Sequence, residues 1–238
     1  MLQIDFHVHS HFSLCGVHSV LEMLEQGKKR GLTAMAITDH GPALNSRIPP
    51  PFYDRLFDPV PGIIMLKGTE SNLISLSGEI DFPEEKLQYV DIVLCGIHHK
   101  LMEQNDSRAY TDAMIAAIKR NPQIDIITHP ETPNYPLDIE RLARTAVEHG
   151  VALEINNSKI LCNRFERSSM EKSLSVYKRM GCRIAVCSDA HAINEVGLDD
   201  SVQPLVEAAG YPDELIVTKN AQAGLAFIEE RRKNKKKY

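Results

Sequence analysis

The sequence predicts an α/β protein built as a seven-stranded barrel, and three observations predict it. Short apolar runs alternate with amphipathic helical stretches, the pattern of successive βα units around a parallel sheet. Seven such runs occur, slightly short of the regular eight-stranded barrel. Six of the seven end, on the C-terminal side, in histidine, aspartate or glutamate. The alternation alone also allows an open doubly wound sheet.

Strands are expected over residues 2–8, 34–38, 63–68, 92–97, 124–128, 152–155 and 183–187. Between them, Val20, Leu24 and Gly27 share one helical face, as do Ile139, Leu142, Ala143 and Ala146, and then Met170, Leu174 and Tyr177. Gly31, Gly150 and Gly181 each follow a helical run and precede a strand, the place of a left-handed C-terminal cap. A further strand-like piece at 215–217 leads into a helix over 221–231. Residues 41–62 hold six of the thirteen prolines and little periodicity, which reads as a long ordered loop over one face. There is no internal repeat and no linker, so one domain is expected over 1–238. Its core runs to residue 231. The basic run from Arg231 to Tyr238 reads as a solvated tail, beyond the core at 232–238.

Composition narrows the function. The 238 residues are 43% hydrophobic, enough for one large core. Lys and Arg number 27 against 32 Asp and Glu, a net charge of −5 that argues against a dedicated nucleic-acid surface. No apolar run approaches the ~20 residues that span a bilayer. The first residues lack the basic start and apolar stretch of a signal peptide, so a cytoplasmic location is expected. The five cysteines are odd in number and form no CxxC pair, which excludes a disulfide framework.

Histidine is the informative residue. The first strand ends in His7-Val8-His9, and alternation along a strand points both imidazoles the same way. Later strands end in Asp39-His40, Glu70, His98-His99, His129 and Asp189-Ala190-His191. Groups at that end of barrel strands converge on the mouth, where such folds do their chemistry. A satisfied core histidine explains any one position but not the joint pattern. Imidazoles with carboxylates, and no nucleophilic serine elbow, are the ligand chemistry of zinc, manganese or iron. His149 falls outside the pattern, at a helix C-terminus where the dipole favours an imidazole.

The motifs HVH at 7–9, TDHG at 38–41, GTE at 68–70, GEIDF at 78–82, GIH at 96–98, THP at 128–130, EINNS at 154–158 and SDAH at 188–191 span nearly the whole chain. In that order they resemble the PHP (polymerase and histidinol phosphatase) family, most closely its YcdX-type phosphatase branch. The resemblance implies a distorted (β/α)7 TIM-like barrel with three divalent metal ions, foremost zinc, otherwise manganese or iron. It implies that His7, His9, Glu70 and Asp189 bind one ion, and that Glu70 bridges to a second held by His98 and His129. The third would take His40, His191 and one ligand from the loop after the first strand. There the sequence departs from its relatives, which place a histidine where this chain has Cys15. Cys15 as a thiolate, His18 and His11 are the three candidates, Cys15 foremost.

Such a centre implies a phosphoesterase acting on a small phosphomonoester through a metal-bound hydroxide, with Glu70, Asp189 and His191 in catalytic roles and His191 or a water as proton donor. Asp5 is expected to orient a ligating imidazole, and His99 to be exposed. Asn156, Asn157 and Arg164 are candidate substrate contacts, with Arg47 behind them. Rival readings are a histidinol-phosphate phosphatase, a nuclease-like phosphodiesterase, an idle metal-binding module, and an amidohydrolase, whose barrel would add a metal-bridging lysine. No membrane partner is expected.

Overall fold

The structure, a computed structural model, describes residues 2–235. Seven strands, β1 (Ile4–Asp5), β2 (Ala34–Ile37), β3 (Ile64–Asn72), β4 (Ile92–Gly96), β5 (Ile126–Ile127), β6 (Ala152–Asn156) and β7 (Ile184–Cys187), pair in chain order. Every pairing is parallel, which requires a crossover between each strand and the next. Between β7 and β1 the ring is closed by one parallel bridge, Val8 to Ala190, where the His9 N–H donates to the Ala190 carbonyl at 2.9 Å. The fold is therefore a nearly closed, distorted (β/α)7 TIM-like barrel, as expected, and not an open sheet.

Eight helices surround the described barrel: α1 (Val20–Lys29), α2 (Pro50–Asp54), α3 (Ser107–Arg120), α4 (Ile139–His149), α5 (Asn157–Leu161), α6 (Arg167–Met180), α7 (Gln203–Ala208) and α8 (Ala221–Lys235). Helix α1 starts on a capping box, with Ser19 and Glu22 satisfying each other's backbone N–H. Gly150 and Gly181 close α4 and α6 in the left-handed region, at φ 64° and 71°.

Two layers of apolar side chains hold the fold. One lies between strands and helices and includes Met23, Leu24, Leu142, Leu174 and Tyr177. The other fills the barrel: Ile4, Phe6, Leu66, Ile92, Leu94 and Ile126 meet Phe227 and Ile228 of α8. Gly224 of α8 packs so closely that a Cβ there would lie 2.7 Å from Ile4 Cδ1. Helix α8 thus seals the N-terminal end of the strands, leaving the C-terminal end for the polar residues.

Three expectations need correction. The strand-like piece at 215–217 is no strand but a single bridge, Ile184 to Ile216, at the end of a 3-10 turn over Asp213–Leu215. The Thr218 hydroxyl accepts the Val186 N–H at 2.8 Å, so a side chain ends the ladder after one rung. The proline-rich stretch carries a 3-10 turn, Pro42–Leu44, and α2, both begun by proline in the first turn, where its missing N–H costs nothing.

The third concerns the tail. Arg231 is not solvated. It is 5% exposed, its Nε donates to Asp125 Oδ1 at 3.1 Å, and its guanidinium reaches the carbonyls of His149, Pro122 and Ile124. The loops beneath the barrel present carbonyl oxygens that a five-donor fork can satisfy together. Arg232 pairs with Asp91; residues 236–238 of the tail lie outside the described residues.

Candidate metal centre

The residues singled out at the strand ends meet at the mouth of the barrel. Glu70, near the end of β3, is 1% exposed and lies at the centre of the group. Its Oε1 accepts the Thr128 hydroxyl at 2.8 Å and lies 3.1 Å from His98 Nε2 and 3.0 Å from His129 Nε2. Its Oε2 lies 3.2 Å from His7 Nε2, 3.4 Å from His9 Nε2 and 2.9 Å from His40 Nδ1. Asp189 stands across the same two imidazoles, with Oδ1 3.4 Å from His7 Nε2 and 3.2 Å from His9 Nε2.

Three sets of donor atoms lie within 4.8 Å of one another: His9, Cys15, His40 and His191; His7, His9 and Asp189; and His40, Glu70 and His98. The donor set fits divalent cations. Despite the short distances around it, Glu70 Oε2 makes no hydrogen bond among the described residues, nor does His40 Nδ1. Buried polar atoms crowded together without hydrogen bonds are costly unless a ligand satisfies them.

The backbone is bent to bring them in. His129 has φ 32° and Asp189 φ 53°, in the left-handed region that L side chains seldom enter. Both follow the last residues of short strands, β5 and β7, and the turn swings each side chain inward. Gly96 makes room beside them: a Cβ there would lie 2.3 Å from Thr128 Oγ1 and 3.0 Å from both His98 Cε1 and His129 Cε1.

A second ring of contacts orients the imidazoles. His7 Nδ1–H donates to Glu154 Oε1 at 2.6 Å, which turns Nε2 toward Glu70 and Asp189. The other oxygen of Glu154 accepts the His129 N–H at 2.7 Å and Asn156 Nδ2 at 2.9 Å. His191 Nδ1–H donates to the Asp189 carbonyl at 2.8 Å, leaving Nε2.

Asp5 does not orient an imidazole, contrary to expectation. Its carboxylate accepts the backbone N–H groups of His7, Ser188 and Gly197, tying β1 to the segment after β7. Burial raises its pKa to about 6 against the pull of those bonds. Glu154 does the orienting instead, because its position on β6 places it beside the His7 ring.

The loop after β1 hangs on Asp39, whose carboxylate accepts the Ser10 N–H at 2.8 Å, the Ser10 hydroxyl at 2.6 Å and the Ser13 N–H at 3.1 Å. That anchorage brings Cys15 beside His40 and His191. Burial pushes the Cys15 thiol up, but hydrogen bonds from His191 and His40 and their charges bring its pKa down to about 7. His18 stays outside the three sets, its Nδ1 accepting the Ile193 N–H at 3.4 Å. His11 is exposed, its ring 4.5 Å from that of Phe12.

Electrostatics follow the geometry. Burial is the largest single effect on His7 and His40 and opposes their charge. Glu70, Glu154 and Asp189 together outweigh it at His7, which rises well above its ordinary value, and Glu70 with Cys15 outweighs it at His40, which rises to about 10. His98, with burial the larger effect, falls to about 4. Glu70 and Asp189 are held well below the usual carboxylate range: burial alone would raise both, but His7 and its neighbours outweigh it at Glu70, and Lys159 and His7 at Asp189.

The expected substrate contacts fare differently. Asn156 is not free to touch a substrate: its amide N–H donates to Glu154 and Asp189, and its Oδ1 caps α5 by accepting the Lys159 N–H. Asn157 is buried, with Oδ1 accepting the Ser201 N–H at 2.9 Å. Arg164, Arg47 and His99 are exposed. Lys159 was not anticipated. It sits in the first turn of α5 and pairs with Asp189 Oδ2. A lysine one residue past the EINNS motif is the only trace it leaves in the sequence.

A model of the PHP domain matches residues 5–158. The chain belongs to the PHP domain family. Within the family it is similar to a probable phosphatase of Caldanaerobacter subterraneus subsp. tengcongensis, 37% identical over 98% of this chain and 93% of the relative. It is also similar to a probable phosphatase of Shewanella sp. strain ANA-3, 34% identical over 96% of this chain and 92% of the relative. Among solved structures, histidinol phosphate phosphatase from Lactococcus lactis, a complex with zinc, L-histidinol and phosphate, superposes with a TM-score of 0.66. Identity there is 18%, over 88% of this chain and 94% of that one, so the likeness is one of fold. The PHP match stops short of Lys159, Asp189 and His191, which join the centre by the geometry above. Among the described residues, no helix is long and apolar enough to cross a membrane.

Proposed function

We propose that this chain is a metal-dependent phosphatase that hydrolyses a small phosphomonoester, its catalytic centre formed by one PHP domain spanning the chain. The observation that carries the reading is the split of Glu70: Oε1 faces His98 and His129 while Oε2 faces His7, His9 and His40. A carboxylate with imidazoles on both oxygens suits a bridge between two cations. The names of the curated relatives, which align over more than nine-tenths of their own length, point to phosphate esters.

His7, His9, Glu70 and Asp189 would hold one ion; Glu70, His98 and His129 a second; Cys15, His40 and His191 a third. Cys15 supports the third position as a soft thiolate donor, and its company favours zinc. Bound there, divalent ions would bring the pKa of water toward neutrality and offset charge on phosphoryl oxygens. The chain's own residues do the rest. Glu154 keeps His7 Nε2 pointed inward, and Thr128 fixes the rotation of Glu70 through its hydroxyl. His191 has Nε2 alone left over, so it holds a metal or delivers a proton, not both. If it ligates, the leaving alkoxide takes its proton from solvent at the mouth.

The test is elemental analysis of protein purified without added metal, beside hydrolysis of p-nitrophenyl phosphate, histidinol phosphate and single-stranded DNA. Bound zinc with turnover of monoesters supports the reading, and preference for histidinol phosphate would narrow it. Turnover of DNA alone, or none with metal bound, overturns it. Replacing Glu70→Gln is expected to reduce metal content and to cost roughly 100-fold or more in kcat together.

A further inference from the structure

Lys159 brings a cation into the centre that none of the expected ligands supplies. Its backbone is pinned on both sides. The N–H donates to Asn156 Oδ1 at 3.0 Å, and the carbonyl accepts the N–H groups of Arg164 at 2.8 Å and Phe165 at 3.1 Å. The side chain is 13% exposed and its ammonium lies on Asp189 Oδ2. The other oxygen of Asp189 faces His7 and His9, so Lys159 stands on the outer side of that carboxylate and leaves the imidazole side clear.

An ammonium has three N–H donors, and Asp189 takes one. Lys159 follows the end of β6, so it stands at the same end of the barrel as Asp189, and its side chain keeps part of its surface exposed there. A phosphomonoester dianion must approach Glu70, Asp189 and Glu154, all buried carboxylates, and a fixed cation on its path lowers that barrier. Asn156 is fully engaged and Arg164 points from an exposed position, so the chemistry a phosphate needs falls to Lys159.

We propose that Lys159 is a substrate-binding residue whose ammonium takes a non-bridging phosphoryl oxygen, and that it favours phosphomonoester dianions over diester monoanions. The proposal rests on the phosphatase reading above. A lysine whose backbone N–H and carbonyl are both bonded and whose ammonium rests on Asp189 is a pre-organised anion contact, and its charge discriminates by the charge of the ester.

The test compares Lys159→Gln, which keeps a donor for Asp189 but no charge, with Lys159→Arg, which keeps both. Metal content is read by elemental analysis, inorganic phosphate binding to metal-loaded protein by calorimetry, and KM and kcat on p-nitrophenyl phosphate and bis(p-nitrophenyl) phosphate. Lys159→Gln is expected to retain its metal, to bind phosphate roughly tenfold or more weakly and to raise KM for the monoester by a similar factor, with the diester little changed. Lys159→Arg is expected to recover most of the phosphate affinity. Phosphate affinity within about twofold of the parent in metal-replete Lys159→Gln would overturn the proposal. So would metal loss with unchanged phosphate affinity per loaded site, because Lys159 would then serve Asp189 alone. Calorimetry needs no turnover, so a parent enzyme inert on every ester would sink the phosphatase reading and leave the Lys159 result standing.

Discussion

Glu70 and Asp189 flank one pair of imidazoles from opposite sides: His7 Nε2 lies 3.2 Å from Glu70 Oε2 and 3.4 Å from Asp189 Oδ1, and His9 Nε2 lies 3.4 Å and 3.2 Å from the same two atoms. Four donors, two just past β1, one on β3 and one just past β7, thus surround a single point. The barrel's strand order makes this possible, since β7 returns beside β1 on one side and β3 stands two strands from β1 on the other.

Glu154 decides how His7 presents itself. With Nδ1–H donated to Glu154 Oε1 at 2.6 Å, Nε2 stays unprotonated and turned inward once a metal is bound. Replacing Glu154→Gln keeps the size and allows the amide to donate to Nδ1, which selects the wrong tautomer. Metal affinity is expected to fall about 10–100-fold, with activity recovered at high metal concentration. Chelator competition measures it; unchanged affinity would remove Glu154 from the design of the centre.

Metal uptake should be coupled to pH. Ligating imidazoles must be unprotonated, yet the acids around them, Glu70 with Glu154 and Asp189 at His7 and Glu70 with Cys15 at His40, outweigh burial and raise His7 well above its ordinary value and His40 to about 10. Their protons must leave as metal enters, so apparent affinity rises with pH and binding releases protons near neutrality. His98, lowered to about 4, contributes none there. Calorimetry in two buffers of different ionisation enthalpy reads the proton count directly, and identical heats would contradict it.

Much of this centre was legible in the sequence because the ligands end strands. His7, His9, His40, Glu70, His98, His129, Asp189 and His191 each sit at or just past an apolar run, and a parallel barrel brings such ends together. What the sequence hid are contacts set by tertiary geometry. Asp5 and Glu154 are both acids on apolar strands, and only the structure tells which one reaches a ring. Arg231 opens a basic run that reads as a solvated tail, and Lys159 follows the EINNS motif with nothing in the sequence to mark it. Each is drawn inward by buried oxygen acceptors from elements distant in sequence.

Arg231 makes a prediction about stability alone. It lies at the sealed end of the barrel, paired with Asp125 at 3.1 Å and bonded to carbonyls of the α4 end and the segment before β5. Arg231→Met leaves Asp125 and those carbonyls short of a donor in a buried site, at an expected cost of roughly 3–5 kcal/mol. Urea unfolding should show the loss, while metal content per folded molecule stays at the parent value.

The choice of Cys15 over a histidine should show in metal preference. The thiol lies with His9, His40 and His191 within 4.8 Å, and although burial pushes it up, His191 and His40 bring its pKa down to about 7, so a thiolate forms readily at neutral pH. Thiolate is a soft donor that favours zinc over manganese, whereas imidazole accepts both. Cys15→His is therefore expected to narrow the gap between zinc and manganese affinity, and Cys15→Ser to weaken zinc more than manganese. The site lies at the mouth, beside the exposed loop after β1, so the substitutions should leave the barrel's stability nearly unchanged. Competition between the two metals, followed by elemental analysis, reads the preference, and a ratio equal to the parent's in both variants would mean that the thiol holds no metal at all.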